Sequence, residues 1–280
     1  MGIIDFLLSA AGLLLWLNWR AIHFDSLGRG PAATLAGTIR RAEPRRLKGW
    51  HLLAALAALL FIRPLLYSQV GPAVGWTPSV RFGVIAVPFR SDLPGRMMLF
   101  SLFSFALMLA VVYLWLLFLS LVNYRGLEED PVQKLVRQHL GGIQRLPWWA
   151  RLLLPLVLGT LLWLAASQLL ALANILPAPR SPALRVQQAV LIALGSYLSW
   201  KYLIGGLLAL HLVTSYIYFG NQPIWNYITV TGQNLLRPLE RFSLRAGKVD
   251  FSPIVGLVLV FAGAEFAERG LSWVFQRLLA

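Results

Sequence analysis

The chain contains no cysteine. Disulfides, thiolate metal sites and a cysteine nucleophile are therefore excluded, and cysteine usage says nothing about the compartment. Acidic side chains are also scarce, with 11 Asp and Glu against 25 Lys and Arg in 280 residues. Charged residues of both signs make up only 13% of the chain, against roughly 25% in an ordinary soluble domain. Histidine is thinly spread: His23, His51, His139 and His211 lie in four separate segments. None has a second ligand three or four positions away, so no metal site is expected. Glycines are plentiful, yet none forms a phosphate-cradling run between a strand and a helix, and no serine-hydrolase elbow occurs. The expectation is a protein that is not an enzyme and holds no metal and no cofactor.

Hydrocarbon is what the chain has in excess. Hydrophobic residues make up 58% of it, in blocks at about 3–18, 52–68, 97–122, 152–176, 188–217 and 253–275. Crossing a bilayer takes roughly 20 apolar residues, or about 17 where flanking side chains snorkel. The third and fourth blocks meet that requirement with no charge inside. The first block is short, like the apolar core of a secretory signal. It carries Asp5 in place of a basic start and lacks a small-x-small cleavage pattern, and Trp16, Trp19 and Arg20 close it like an interfacial anchor. It is read as a retained helix. The fold class expected is all-α, a polytopic membrane protein with about six transmembrane helices.

Orientation follows from the basic residues. The segments 19–51, 123–151 and 218–250 hold 7, 5 and 4 Lys and Arg, while the alternate segments 69–96 and 177–187 hold 3 and 2. Short loops rich in Lys and Arg stay in the cytoplasm. The three rich segments fall on one side of a six-span chain, which places both termini outside. The net charge of +14 is thus spread over juxtamembrane loops. It points to an anionic cytoplasmic leaflet as the partner, at about 1 kcal/mol per Lys or Arg near the surface, and not to nucleic acid.

The chain also repeats itself. An apolar block is followed by "NWR" (18–20), then Pro31, then "RRLKGW" (45–50), then a second apolar block. Further on the same order returns as "NYR" (123–125), Pro131 with "VQKLVRQHL", "QRLPWW" (144–149) and an apolar block. A third pass runs through "TSYIYFG" (214–220), Pro223 with "IWNYITVTGQNLL", and "GKVDFSP" (247–253). This gives three helical hairpins, each with a cytoplasmic amphipathic segment. The divisions expected are a first hairpin over 1–72, an outer interfacial loop over 73–96, a second hairpin over 97–177 and a third over 178–280.

The amphipathic segments have readable starts. Asp130 caps and Pro131 opens a helix that places Val132, Leu135, Val136 and Leu140 on one face. In the third loop Ile224, Tyr227, Ile228, Leu235 and Leu236 fall at helical spacing, and Gly232 and Pro238 argue against one helix running from 223 to 245. Such helices either lie in the membrane interface or pack as a lid on the bundle ends; the residues alone leave both readings open. Farther on, Ser252 and Pro253 suit a helix start, with Asp250 favourable near its positive end.

Three ionisable side chains inside apolar blocks form a candidate intramembrane polar site: Lys201, His211 and Glu265. An ionisable group at membrane depth is costly and by default functional. Because the fifth and sixth blocks run antiparallel, Lys201 can pair with Glu265, and Arg63 can reach the same outer region. The plainer reading takes Trp200-Lys201-Tyr202 as an interfacial belt and leaves Glu265 and Glu268 near the surface.

The stretch "LLRPLERFSLRAGKVDFSPIV" (235–255) resembles the signature of the YggT family of small bacterial inner-membrane proteins. The pattern is carried by Arg237, Pro238, Arg241, Gly247, Asp250, Ser252 and Pro253. Two positions depart from it: Glu240 stands where a basic residue is usual, and Lys248 replaces one of a glycine pair. Residues 97–177 and 178–280 are then similar to the family's two repeats, with Gln144 in place of the aspartate in the first, and 1–72 is a degenerate third. The resemblance implies a bacterial inner-membrane protein without catalytic activity. Its expected roles are a scaffold or assembly factor for envelope complexes or cell division, with a part in osmotic tolerance. A transporter or channel using Lys201, His211 and Glu265 is the alternative.

Overall fold

The computed structural model describes residues 2–25, 49–123, 130–177, 181–217, 219–220, 222–239, 241, 245–246 and 249–279. The first of the three basic segments, with Pro31 and most of "RRLKGW", lies outside them, as does Gly247. Nine α-helices are described: α1 (Gly2–Asp25), α2 (Gly49–Ala73), α3 (Pro94–Val122), α4 (Pro131–Leu140), α5 (Trp148–Leu172), α6 (Pro182–Ser196), α7 (Trp200–Tyr216), α8 (Pro223–Leu236) and α9 (Ser252–Leu279). Also described are 3-10 turns at Gly141–Arg145 and Tyr197–Ser199 and two short strand pairs, β1 (Ser79–Phe82) with β2 (Ile85–Pro88) and β3 (Arg245–Ala246) with β4 (Val249–Asp250). The class is all-α, as the composition implies.

Among the described residues, five helical stretches are long and apolar enough to cross a membrane: Gly2–Ala21, Gly49–Ala73, Pro94–Val122, Trp148–Leu172 and Pro182–Tyr216. Their surfaces carry exposed Phe61, Leu65, Leu161 and Leu162, side chains that only lipid or another apolar surface covers at low cost. The chain is a multi-pass membrane protein. The fifth stretch begins earlier than its apolar block, because Ser181 caps it through Leu184 N at 3.2 Å and Pro182 follows at the first position. It continues from α6 into α7 through a 3-10 turn at Tyr197–Ser199.

The chain divides into two compact units, Met1–Val80 with Pro88–Leu109, and Arg81–Val87 with Ala110–Ala280. In the first, α1 packs along α2. Pro64 inside α2 has no N–H and so frees the carbonyl of Leu60. Ser101 of α3 donates to that carbonyl at 3.0 Å, which removes the penalty of an unpaired backbone group in hydrocarbon. The rings of Tyr67, Trp76, Phe89 and Phe100 meet at 5.1–6.0 Å, mostly edge to face.

In the second unit α5 packs along α6, α7 along α9, and α8 against α7 and α4. Residues 73–96 were expected only as an interfacial loop; within them β1 and β2 make a hairpin, and its tip rests on α6. Gly83 has φ +58°, and a Cβ there would stand 2.8 Å from the carbonyl oxygen of Ile192. A Cβ on Gly195 would in turn stand 3.0 Å from the Cα of Gly83. Two glycines are therefore what allows the two backbones to touch. Beside them Phe82 packs on Trp163, with ring centroids 5.1 Å apart.

Candidate functional site

Helix α4 starts as its sequence directs. Asp130 accepts from Val132 N at 2.8 Å and Gln133 N at 3.4 Å, with Pro131 at the first position. The buried face differs from the apolar stripe read from sequence. Gln133, Val136, His139 and Leu140 are buried, while Leu135 is 53% exposed. Val136 and Leu140 join Leu117 of α3 in one apolar cluster, with Leu154 and Trp200 packed against it. The two polar members of the buried face have partners. His139 Nδ1 lies 2.9 Å from the carbonyl of Leu135, and Gln133 Oε1 accepts from the Tyr227 hydroxyl at 3.0 Å.

Helix α8 supplies the other half. It runs through Gly232 and stops at Leu236, two residues before Pro238. Gly232 is needed where it stands, because a Cβ there would lie 2.5 Å from the His211 ring of α7. Tyr227, Thr231 and Asn234 follow at four- and three-residue steps, one stripe of the helix. Asn123, at the end of α3, donates from Nδ2 to Thr231 Oγ1 at 2.8 Å and accepts from Asn234 Nδ2 at 3.0 Å. Thr231 donates in turn to the carbonyl of Tyr227 at 2.6 Å. Asn123 and Thr231 are both wholly buried. Burial pushes the Tyr227 hydroxyl up to about 12, against a smaller downward pull from the Asn123 side chain. Nearby, Arg151 of α5 donates to Ser120 Oγ at 2.9 Å and to the carbonyl of Leu146 at 3.0 Å.

Thus α4 and α8 each bury one face against protein, through a polar network with its hydrogen bonds made. Of the two readings left open by the sequence, the packing is that of a lid. The outer side of α4 and the turn after it present Lys134, Leu135, Gln138, Arg145, Trp148 and Trp149. The sequence reading missed the network. Its signal was a polar stripe, Tyr227, Thr231 and Asn234, on a helix otherwise read for its apolar positions.

The signature residues are placed separately. Arg237 follows α8 as an exposed C-terminal cap, its N–H on the Gln233 carbonyl at 2.9 Å, and Pro238 and Arg241 are exposed. Asp250 pairs along the backbone with Arg245, as Ala246 does with Val249. Helix α9 begins at Ser252, and Pro253 is buried. The first turn of α9 is closed by Val255 N on the Phe251 carbonyl at 3.0 Å. Close by, a Cβ on Gly256 would stand 3.0 Å from Leu236 of α8.

Lys201, His211 and Glu265 are not brought together. Lys201 Nζ pairs with Glu268 Oε2 at 2.8 Å, not with Glu265. The register of α9 explains the difference. Phe261 packs on Gly205 of α7, and Glu268, seven positions on, returns to that same face. Glu265 is turned outward and holds Arg269 four positions on, at 2.9 Å. The Trp200 indole donates to the Leu114 carbonyl at 3.2 Å and packs on Phe118 and Tyr197. In return Trp115 donates to the Ser199 carbonyl at 3.1 Å.

Arg63 is wholly buried within the first unit, where Nη2 meets Asp5 Oδ1 at 2.6 Å. Among the described residues, no group of three His, Asp or Glu stands together to hold a metal ion. In comparisons with known proteins, no family model, no curated protein and no solved structure matches this chain.

Proposed function

We propose that this chain is a non-enzymatic membrane protein of the YggT type, a scaffold or assembly factor for envelope complexes or cell division. Six spans in three hairpins serve that role, with basic loops in the cytoplasm, both termini outside, and a place in a bacterial inner membrane. The packing of α1 along α2 and of α7 along α9 supports the hairpin reading, and the middle pair, α3 and α5, meets at Ser120 and Arg151. The sixth span is α9, which carries Glu265, Glu268 and Arg269 within an otherwise apolar run.

One observation carries the scaffold reading. The helices α4 and α8 are fixed to the bundle by Asn123, Thr231, Tyr227 and Gln133, so the basic and aromatic outer side of α4 is a rigid surface. A rigid surface costs little ordering on binding. The transport alternative needs Lys201, His211 and Glu265 to converge, and their separate partners favour it less.

The test is site-specific photo-crosslinking in intact cells from Leu135, on the exposed side of α4. A discrete protein adduct, lost when Lys134 and Arg145 are both replaced by Glu, supports the scaffold. Lipid adducts alone, with normal protein levels, overturn it.

A further inference from the structure

Arg63 is the one Lys, Arg, Asp or Glu in helix α2. Arg63 lies about 21 Å along it from Gly49, at 1.5 Å per residue, far from either end, and its side chain is wholly buried. A charge held at such depth needs a full set of partners. Arg63 has half a set. Its Nη2 serves Asp5 Oδ1 at 2.6 Å, Ser9 Oγ at 3.1 Å and Ser104 Oγ at 3.2 Å. Its Nε and Nη1, both buried, have no hydrogen-bond partner among the described residues. A guanidinium carries five N–H donors, so most of its binding capacity is unused.

The Asp5 carboxylate sits in a cradle of donors. Besides Arg63, the Tyr67 hydroxyl donates to the same Oδ1 at 2.9 Å. Asp5 itself lies in the first turn of α1, and its side chain is 26% exposed where that of Arg63 is 1%. It is therefore the one charged member at the open side of the cluster, attached near a helix end. We propose that this cradle is a binding site for a compact monovalent anion, a halide or a small carboxylate such as formate, and that Asp5 is its tethered competitor.

Size and charge set the ligand class. Arg63 offers no surface to solvent, so a ligand enters only as Asp5 swings away, into a space the size of a carboxylate. One guanidinium neutralises one negative charge, and a second anion beside Asp5 at this depth is unfavourable. Exchange is the arrangement that keeps the site neutral. The bound anion takes the Arg63 and Tyr67 hydrogen bonds, and the unused N–H groups of Arg63 add to them. Among the described residues of this unit, Arg90 and Asp92 are exposed and bonded to each other at 2.8 Å.

The full chain in lipid nanodiscs is titrated with sodium chloride and with sodium formate against sodium gluconate at constant ionic strength, with binding followed by calorimetry. Wild type is expected to bind chloride and formate saturably and gluconate not at all. Asp5→Asn removes the competitor; if the cradle is open about a tenth of the time, affinity rises about tenfold. Arg63→Gln abolishes binding. Because that variant risks misfolding, the double variant Asp5→Asn with Tyr67→Phe is the second probe; with the competing carboxylate gone, losing one donor weakens binding about fivefold relative to Asp5→Asn alone. No saturable binding by wild type overturns the proposal, even where Asp5→Asn binds, because the carboxylate is then a fixed structural partner. Equal affinity in Asp5→Asn with and without Tyr67→Phe, or undiminished binding by folded Arg63→Gln, overturns it as well.

Discussion

Asn123 and Thr231 stand 108 positions apart in the chain, yet their side chains share a 2.8 Å hydrogen bond with neither exposed. That bond is the point where the end of α3 and the middle of α8 are fixed to each other, and the Asn123 amide also accepts from Asn234. In Asn123→Ala both the Thr231 oxygen and the Asn234 amide lose a partner. An unsatisfied buried polar group costs about 1–3 kcal/mol. We expect α8 to loosen, with a lower unfolding temperature in nanodiscs and faster trypsin cleavage after Arg241. Asn234→Ala, at a half-buried position, should have the smaller effect. Equal effects from the two variants would show that Asn123 is not the hub.

Tyr227 gives a pH-dependent readout of the same network. Burial holds its hydroxyl protonated up to about 12, whereas a tyrosine in an unfolded chain titrates near 10. Below about pH 10 both states keep the proton, and the stabilising contribution is complete. Between about 10 and 12 the unfolded state loses its proton first, so stability falls as pH rises. Tyrosinate absorbance of wild type minus Tyr227→Phe should show a step near 12 in the folded protein and near 10 after denaturation. A step near 10 in the folded protein would mean that α8 exposes this hydroxyl to water.

Much of this arrangement is written locally, and some of it is not. The apolar blocks become helices because only a helix pairs its own backbone groups in lipid, and Asp130-Pro131 and Ser181-Pro182 start helices through neighbours within three residues. The choice between interface and lid for α4 depended on Gln133 and His139, whose burial is tolerable only because Tyr227 and the Leu135 carbonyl receive them. Nothing near Gln133 in sequence announces Tyr227, 94 positions away. Arg63 was legible as an anomaly in an apolar block, but its partner Asp5 was read only as evidence against a signal peptide. The glycine contact of Gly83 with Gly195 was hidden for a different reason: a glycine shows where backbone approach is permitted, not which backbone approaches.

The Pro64–Ser101 relationship is testable as a cycle. Ser101→Ala leaves the Leu60 carbonyl without its 3.0 Å donor, at a cost of about 1–3 kcal/mol. Pro64→Ala restores the N–H that a helix normally offers that carbonyl. In the Pro64→Ala background, Ser101→Ala should therefore be close to neutral. Unfolding of the four proteins in one detergent gives the coupling. Independent, additive effects would mean that the serine does not compensate for the proline.

The register of α9 makes a sharper claim, because it chooses between two glutamates three residues apart. Lys201 Nζ lies 2.8 Å from Glu268 Oε2, with the lysine 14% and the glutamate 40% exposed. This falls between a surface pair, worth about 0–1 kcal/mol, and a buried one, where removing one partner costs about 3–5 kcal/mol. Lys201→Met and Glu268→Gln should each destabilise by about 1–3 kcal/mol. The double variant should lose little more than either single, since the second change removes a charge already left without its partner. Glu265→Gln should cost less than Glu268→Gln and couple more weakly to Lys201→Met, because Glu265 holds Arg269 on the exposed side of its own helix. If Lys201→Met instead couples to Glu265→Gln and not to Glu268→Gln, α9 is rotated by about a turn's fraction from the register described. Phe261 would then lose its seat on Gly205, so a Gly205→Leu variant, which should disrupt α7–α9 packing in the register found, would be tolerated.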